Sequence, residues 1–544
     1  MKYTIGVSWM WNARMSNVKF EEHDSIVDKI LKLRGIKDRN KFLYPSMNDI
    51  NDPFKLSNMD KATKAISNGI KNNKTFAVYG DVDTDGITSL TEMVRYLEDC
   101  GISPHVLYHQ RKDGHGVIVD NVPEDVEVLI IVDSSSNSIN ECKQLKDKGI
   151  DVIILDHHIG EDNPYAIIVN PQYNNYPNKD LSGAGVVYQT MRALDVMMNT
   201  EYADKYLDVC AVGLIGDMMD VSNSETRALI YFGLKKMQEN CYPQLSFILK
   251  RLKKDYKPKA TDISFYVVPF INSIIRLNKI ENIVDIMLSN DDKYCKKLIK
   301  DCVDLNDNRK IMQSDLLEQL EENIDDTHRI LIVVSQDENS NLNGLVANNL
   351  AQKYQKPTLV LKEHNGMLAG SGRGYDNKID FRKLLLDSGL CEYVEGHDNS
   401  FGIEFKKDNI DALYAYFDDA LEQSLGEKVI EYDLEFNEDD ITWDILKELE
   451  PLYFITGKGF QDPTFLVKDL SINDTKIMKD IHIKVNTNDL ECVKFNLSED
   501  EIKQINDSLM FDAIGTLTIN SWYNFGTKKT IRTKQMKLDD IKLY

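Results

Sequence analysis

The sequence lacks several features that would assign the chain to a familiar class at once. Its eight cysteines are scattered and include no Cys-x-x-Cys pair, which argues against a disulfide framework or a zinc site. No apolar run approaches the roughly 20 residues of a membrane span, and the first residues lack the apolar core of a signal peptide. No tandem repeat or low-complexity tract stands out. We therefore expect a globular cytoplasmic protein without membrane contact.

Positive charge is also scarce. Lysine and arginine number 65 against 88 aspartates and glutamates, which gives a net charge of −23. This balance argues against a protein that coats nucleic acid by bulk electrostatics. It does not exclude a nuclease, because bound ions neutralise the carboxylates of a metal site and a narrow basic groove can coexist with an acidic exterior. At 544 residues the chain is long enough for three or four domains.

Acidic residues follow short apolar runs at several points. The runs 76–79, 128–132 and 152–155 resemble buried parallel strands, and another apolar stretch ends at Gly216. In open α/β sheets the ligand lies outside the carboxyl ends of the strands. We therefore expect one shared cleft lined by the residues after these runs: Asp81, Asp83, Asp85, Asp133, Asp156, His157, His158 and Asp217.

The acids at 81, 83 and 85 leave three interpretations open when taken alone. In an extended backbone they would face the same way and form a hard-metal site. Together with Gly86 and Glu92 they also satisfy the spacing of an EF-hand calcium loop, although an EF-hand loop lies between two helices and this one follows a predicted strand. A solvated loop that binds nothing is the third. Oxygen ligands favour Mg²⁺ or Mn²⁺, and added imidazole shifts the preference to Mn²⁺.

The order of patterns predicts four regions. Residues 1–228 comprise an N-terminal helical segment and a doubly wound α/β domain with a parallel sheet, with the helix after the first acids beginning near Thr88. Residues 229–325 are expected to form a helical connector. Residues 326–428 predict a second α/β domain with a Gly-rich turn at 369–374, and residues 429–544 predict a small all-β barrel.

These motifs resemble those of the DHH phosphoesterase superfamily and, within it, the RecJ-type single-strand-specific exonucleases. Residues 80–88 are similar to the first family motif, Asp133 to the second, Asp156-His157-His158 to the third and Asp217 to the fourth. The resemblance extends over nearly the whole chain, through segments at 34–36, 181–186, 269–272, 344–347, 371–373, 396–397, 457–460 and 520–522.

The resemblance implies a DHH catalytic domain, a DHHA1-like accessory domain and a C-terminal OB domain. It implies two divalent cations, Mn²⁺ first and Mg²⁺ as the alternative, held by Asp81, Asp83, Asp85, Asp133, His157 and Asp217. Asp156 and His158 are the expected catalytic residues, with His158 near the scissile phosphate. The implied contacts to DNA phosphates are Arg111, Arg276, Arg309, Ser371, Arg373 and His397.

The implied activity is 5′ to 3′ exonuclease action on single-stranded DNA in repair or recombination, with a helicase or single-strand-binding protein as a partner. A phosphodiesterase for short oligonucleotides or cyclic dinucleotides and a catalytically silent DNA-binding module are the alternatives. Two departures bear on this: Ser134-Ser135-Ser136 follows Asp133 where the family usually has glycine, and Glu395 replaces a common glycine before Gly396-His397. Neither removes an expected metal ligand.

Overall fold

A computed structural model describes residues 3–4, 9–14, 18–110, 116–161, 163–321, 324–335, 342–375, 379–422, 428–524, 526 and 528–544. The chain forms two compact units. The first comprises Met1–Ile299 and Lys428–Tyr544, and the second comprises Lys300–Glu427. Among the described residues no helix has both the length and the apolar character needed to cross a bilayer.

The N-terminal segment contains two short strands, β1 (Tyr3–Thr4) and β2 (Trp9–Ala13), and three helices, α1 (Ile26–Leu33), α2 (Arg39–Leu43) and α3 (Met59–Lys71). Helix α1 shows why this stretch is helical. Ser25 and Asp28 form a capping box at its start, and Val27, Ile30 and Leu31 are buried on one face.

A five-stranded parallel sheet forms the centre of the first unit. Its strands are β3 (Phe76–Gly80), β4 (His105–Tyr108), β5 (Val128–Val132), β6 (Asp151–Leu155) and β7 (Ile167–Val169), in the spatial order β4-β3-β5-β6-β7. The winding direction reverses between β3 and β5, which makes their carboxyl ends the topological switch point where such sheets bind ligands. The predicted doubly wound parallel sheet is confirmed.

Helices cover both faces of this sheet, which explains why its central strands are continuously apolar. They are α4 (Thr84–Asp99), α5 (Ile139–Asp147), α6 (Gly183–Met198) and α7 (Leu207–Gly216). Helix α5 packs Cys142 and Leu145 against Leu129 and Ile131 on one face. Helices α4, α6 and α7 pack against one another. The prediction that α4 begins near Thr88 was wrong by one turn. The helix begins at Thr84, because Asp83 forms its N-cap.

A helical stretch follows, as the lack of strand runs predicts. It contains α8 (Ser224–Glu239), α9 (Pro243–Arg251), α10 (Ala260–Asp262), α11 (Val268–Arg276), α12 (Ile280–Leu288) and the 30-residue α13 (Asp292–Glu321). Asn272 on α11 accepts a hydrogen bond from the Thr84 hydroxyl at 2.9 Å. The connector therefore contacts the start of α4.

The second unit is built on a mixed five-stranded sheet. Its elements are β8 (Leu331–Val334), α14 (Asn343–Tyr354), β9 (Thr358–His364), β10 (Met367–Arg373), α15 (Phe381–Ser388), β11 (Cys391–His397), β12 (Ser400–Lys406) and α16 (Ile410–Glu422). The strand order is β11-β12-β10-β9-β8, and the pair β8 and β9 is parallel.

The Gly-rich turn predicted at 369–374 was wrong, since residues 369–373 belong to strand β10. Close packing explains the glycines there. A Cβ at Gly370 would lie 2.8 Å from the Leu361 Cα of the neighbouring strand, and one at Gly372 would lie 2.5 Å from Phe401 Cζ. Glycine inside a strand can mark such a close approach as well as a turn.

The C-terminal region returns to the first unit. It contains β13 (Lys428–Tyr432), β14 (Leu434–Phe436), α17 (Trp443–Leu449), β15 (Phe465–Ser471), β16 (Asp474–Met478), β17 (His482–Asn486), β18 (Glu491–Lys494), α18 (Glu499–Asp507), β19 (Met510–Asn524) and β20 (Lys529–Leu543). Eight strands form one sheet, in the order β14-β15-β19-β20-β18-β17-β16, with β1 added beside β20.

The N-terminal segment completes this C-terminal region. Strand β2 pairs in parallel with β13, and β1 pairs with β20. The buried Arg34 guanidinium makes two hydrogen bonds to the buried Asp433 carboxylate, at 2.9 and 2.6 Å, and lies 4.6 Å from the centre of the Phe460 ring. The two ends of the chain therefore fold together within the first unit.

Candidate metal centre

The predicted acids meet at the switch point of the parallel sheet. Asp81 directly follows β3, Asp133 follows β5 and Asp156 follows β6. Asp217 comes from a helix, because it forms the C-cap of α7. The residues that the sequence predicts to share one cleft therefore lie together, and the apolar stretch before Asp217 is a helix.

The first motif turns from strand to helix. Asp83 is the N-cap of α4 and accepts a hydrogen bond from the Gly86 N–H at 2.9 Å, and Asp85 lies in the first helical turn. The three acids thus do not share an extended backbone. The strand before them also excludes an EF-hand, whose loop joins two helices. Glu92 lies inside α4 and is buried.

Asp85 is held by the start of helix α6. Its carboxylate accepts hydrogen bonds from the Gly183 N–H at 2.7 Å and the Ala184 N–H at 3.1 Å. The amino end of a helix carries partial positive charge, so it stabilises an anion there. Gly213 allows α7 to approach, because a Cβ at that position would lie 2.5 Å from Asp85 Oδ1. The orientation of Asp85 is therefore set by two helices.

His157 faces three carboxylates. Its Nε2 lies 3.3 Å from Asp133 Oδ1, 3.5 Å from Asp217 Oδ2 and 4.0 Å from Asp85 Oδ2. Potential ligand atoms lie within 4.8 Å of one another in three groups. These groups are Asp81 with Asp83 and Asp133; Asp85 with His157 and Asp217; and Asp133 with Asp156, His157 and His158.

The carboxylates raise one another's pKa values. Loss of hydration in the recess and repulsion from Asp85 raise the pKa of Asp83 to about 6, although part of this side chain is open to solvent. Burial and the charge of Asp85 raise the pKa of Asp217 to about 8. Burial, followed by Asp85, Asp83 and Asp81, raises the pKa of Asp133 well above its ordinary value.

These carboxylates fit divalent cations. The buried Asp133 Oδ1 has no hydrogen-bond partner among the described residues, which is costly for a buried oxygen unless a cation satisfies it. The oxygen-rich donor set with one imidazole suits hard or borderline ions such as Mg²⁺ and Mn²⁺. A bound cation would also offset the repulsion that raises the carboxylate pKa values.

Asp156 and His158 form a separate pair beside this cluster. Asp156 Oδ1 lies 2.8 Å from His158 Nδ1, and Asp156 also accepts backbone N–H bonds from His157, His158 and Ser136. Burial alone would raise the pKa of Asp156, but its hydrogen bond to His158 lowers it below the ordinary value. The same hydrogen bond raises the pKa of His158 to about 9. A half-exposed imidazolium suits an anionic group at this edge of the site.

One of the three serines after Asp133 adopts the left-handed backbone that glycine would take. Ser135 has φ +74° and Asp133 has φ +62°, both in the left-handed region. The serine groups compensate with contacts: Ser135 Oγ accepts the Val117 N–H at 2.9 Å, and the Ser136 N–H donates to Asp156 at 3.1 Å. The loop thus keeps a glycine-like path at Asp133 and Ser135 without glycine, at a cost of about 1 to 3 kcal/mol for each of these two residues.

A turn from the C-terminal region contacts the loop that carries Asp217. Asp180 accepts a hydrogen bond from the Asp220 N–H and lies 3.3 Å from Lys458 Nζ. The Val221 N–H donates to the Lys458 carbonyl at 2.9 Å. Sequence reasoning missed Asp180 and Lys458 as parts of the site, because their nearness depends on the docking of two distant segments.

His109 is a further residue that sequence reasoning missed. It directly follows strand β4 and its side chain is fully buried, with Nε2 3.5 Å from Asp81 Oδ1. A usable signal existed in the sequence. The run His105–Tyr108 is followed by a polar residue, His109, as the other strand runs are, but the run is short and weakly apolar.

The predicted DNA contacts divide between the two units. Arg276 ends helix α11 in the first unit. Arg309 lies on α13 in the second unit and donates to Asn306 and Gln313 of its own helix. Arg111 and the His397 side chain lie outside the described residues, although the backbone of His397, like that of Glu395, belongs to β11.

Ser371 and Arg373 meet the start of α14. A Cβ at Gly344 would lie 2.5 Å from Arg373 Nη2 and 3.4 Å from Ser371 Oγ, so these three residues are neighbours. A guanidinium, a hydroxyl and a helix amino end form a suitable arrangement for a phosphate group. The structure thus brings together two of the six predicted DNA contacts.

Comparisons with known proteins agree with this arrangement. Residues 75–214 match the model of the DHH family, N-terminal domain, and residues 432–531 match that of the RecJ OB domain. A Bacillus subtilis (strain 168) protein named as an SPbeta prophage-derived single-strand DNA-specific exonuclease, YorK, is 30% identical over 94% of this chain and 96% of its own length. The chain belongs to the RecJ-type branch of the DHH family.

More distant relatives of this RecJ-type chain include cellular RecJ proteins. The single-stranded-DNA-specific exonuclease RecJ of Bacillus subtilis (strain 168) is 26% identical over 89% of this chain and 64% of its own length. Among solved structures, RecJ of Thermus thermophilus in complex with Mn²⁺ matches with a TM-score of 0.79 at 20% identity, over 95% of this chain and 75% of that chain. The structural likeness supports the fold, including the predicted accessory and OB regions.

Proposed function

We propose that the chain is a metal-dependent exonuclease that hydrolyses single-stranded DNA from the 5′ end. The observation that carries the proposal is the cluster at the switch point, in which ligand atoms from aspartates and two histidines approach within 4.8 Å in overlapping groups. The named activities of the relatives that match most of the chain supply the substrate class. A role in DNA repair or recombination follows from that substrate.

We assign the metal ligands as Asp81, Asp83, Asp85, Asp133, His157 and Asp217. Two of the groups share no residue, namely Asp81 with Asp83 and Asp133, and Asp85 with His157 and Asp217, which favours two ions. The imidazole favours Mn²⁺, with Mg²⁺ as the alternative. Such ions, when bound, lower the pKa of a water molecule and offset the charge that develops on a phosphodiester.

The protein residues contribute orientation and charge. Burial lowers the pKa of His157, so the neutral imidazole that a metal requires is favoured. The hydrogen bond to Asp156 raises the pKa of His158 to about 9, which favours the imidazolium, and this group can donate a hydrogen bond to a phosphate oxygen from the half-exposed edge of the site. Asp156 orients that imidazole through its 2.8 Å contact and is itself fixed by three backbone N–H groups.

We assign DNA-phosphate contacts to Arg111, Arg276, Arg309, Ser371, Arg373 and His397. Arg373 and Ser371 have the best support, because they adjoin the amino end of α14. The OB region supplies a surface for a longer strand. The same proposal includes the four domain boundaries predicted from the sequence. It also includes action in the cytoplasm and recruitment by a helicase or a single-strand-binding protein.

A substrate panel tests this function. The protein is incubated with Mn²⁺ and 5′-labelled single strands, matched duplexes and dinucleotides. We expect labelled mononucleotide from the single strand and little product from the duplex. Cleavage confined to dinucleotides would instead favour a short-oligonucleotide phosphodiesterase, and binding without cleavage would favour a silent DNA-binding module.

A further inference from the structure

His109 lies beside Asp81 because of the register of the parallel sheet. Strand β4 pairs with β3 so that Tyr108 is opposite Gly80. The next residue of each strand is therefore His109 on one side and Asp81 on the other. Both leave the sheet at the same carboxyl edge, where ligands of such sheets bind.

The surroundings of His109 fix the direction of its ring. The imidazole is stacked on the Tyr79 ring, with centroids 5.9 Å apart and planes inclined by 23°. Its Nδ1 lies 3.4 Å from the Tyr79 hydroxyl, which also accepts the Ile118 N–H at 3.3 Å. Nε2 consequently faces the opposite side, where Asp81 Oδ1 lies 3.5 Å away.

The Nε2 atom is buried and forms no hydrogen bond with the described residues. A buried polar nitrogen without a hydrogen-bond partner costs free energy. If the ring moved by a few tenths of an ångström towards Asp81, Nε2 would come within hydrogen-bond distance of that carboxylate. His109 belongs to none of the ligand groups found among the described residues. Its position thus suits a hydrogen bond to a metal-binding carboxylate more than direct coordination of the ion.

We propose that His109 is a positioning residue that holds the Asp81 carboxylate in the orientation needed to bind a divalent cation. The Nε2–H group donates to Asp81 Oδ1, which leaves the other lone pairs of the carboxylate directed to the cluster. Partners of this kind orient metal ligands and limit their motion. The inference rests on the proposed metal site, and it adds a residue that the sequence motifs do not contain.

Direct Mn²⁺ binding tests this role without DNA. Titration calorimetry compares the wild type with His109→Ala, His109→Gln and the control His105→Ala. His105 begins the strand that His109 follows, but it is half-exposed and pairs with Asp125 at 3.2 Å, away from the cluster. We expect His109→Ala to weaken Mn²⁺ binding by about 10- to 100-fold. His109→Gln, which keeps a donor, should lose less, and His105→Ala should match the wild type.

An unchanged Mn²⁺ affinity in His109→Ala would overturn the inference. If that variant does not fold, as judged by circular dichroism, His109→Phe decides instead, because it fills the space of the imidazole without a donor, and a wild-type Mn²⁺ affinity there would overturn the inference equally. Pulsed EPR of bound Mn²⁺ separates positioning from direct ligation: loss of a nitrogen coupling in His109→Gln would contradict a positioning role. A wild-type protein that binds no Mn²⁺ would refute the proposed function itself.

Discussion

Replacement of Gly459 by alanine perturbs the metal site from the C-terminal region. Gly459 has φ +81°, which costs an L-residue about 1 to 2 kcal/mol. A Cβ there would also lie 2.6 Å from Asp220 Cγ. Carbon atoms at optimal separation lie about 3.5 to 4 Å apart, so the turn or Asp220 must move by about 1 Å.

That displacement falls on the loop that carries Asp217. The clashing atoms belong to the Asp220 carboxylate, which accepts hydrogen bonds from the Ser222 N–H and hydroxyl. The backbone of the same loop is anchored by the Asp220 N–H to Asp180 and by the Val221 N–H to the Lys458 carbonyl, so a displaced carboxylate breaks the Ser222 contacts and strains these anchors. A misplacement of about 1 Å can reduce the rate about 100-fold. We expect Gly459→Ala to lower kcat by about 10- to 100-fold, measured on a dinucleotide that is too short to depend on the OB surface.

Gly149→Ala provides a matched control. Gly149 has φ +84° and no atom within 4 Å of a Cβ, so alanine there carries the same backbone strain without a clash. Urea denaturation should show a loss of stability in both variants, larger in Gly459→Ala because of the clash, and only Gly459→Ala should lose kcat. Equal kcat values for the two variants would refute the idea that the C-terminal turn supports the Asp217 loop.

Three other predictions concern the electrostatics of the first unit. Asp133→Asn should raise the free energy of unfolding of the metal-free protein by about 1 kcal/mol, because it removes like-charge repulsion at a functional site. Calorimetry should show weaker Mn²⁺ binding by the same variant. A less stable metal-free variant would contradict this. Arg34→Ala and Asp433→Asn should each cost about 3 to 5 kcal/mol in urea denaturation, and the double variant should cost less than their sum; additive costs would contradict a coupled buried pair. Burial raises the pKa of Asp208 to about 6, so its ionisation opposes folding as the pH rises. Relative to Asp208→Asn, the wild type should lose about 2 kcal/mol of stability between pH 4.5 and 7.5. A stability difference between the two proteins that does not change with pH would contradict the shifted pKa.

Much of the fold was predictable because periodicity and strand ends are local signals. The runs before Asp81, Asp133 and Asp156 are buried strands whose carboxyl ends meet, so the acids after them necessarily share one cleft. The glycines of 370–372 misled the prediction, since a strand that packs closely against its neighbours needs glycine as much as a turn does.

The remaining site residues depend on contacts between distant segments. Lys458 reaches Asp180 across 278 positions of the chain, and no local pattern marks that pairing. His109 depends on the register between two neighbouring strands, which one short run does not reveal. The role of Asp85 at the start of α6 likewise appears only when the helix docks beside it.

The proposed metal-dependent hydrolysis is tested most directly by release of the 5′-terminal nucleotide from a labelled single strand. The rate is measured at saturating Mn²⁺ for the wild type and for Asp83→Ala. We expect mononucleotide release by the wild type, which stops when the metal is chelated. A folded Asp83→Ala variant should lose at least about 1,000-fold in rate, since removal of a ligand forfeits several kcal/mol of charge stabilisation. Release by the variant at the wild-type rate, or by the wild type without any divalent cation, would contradict it.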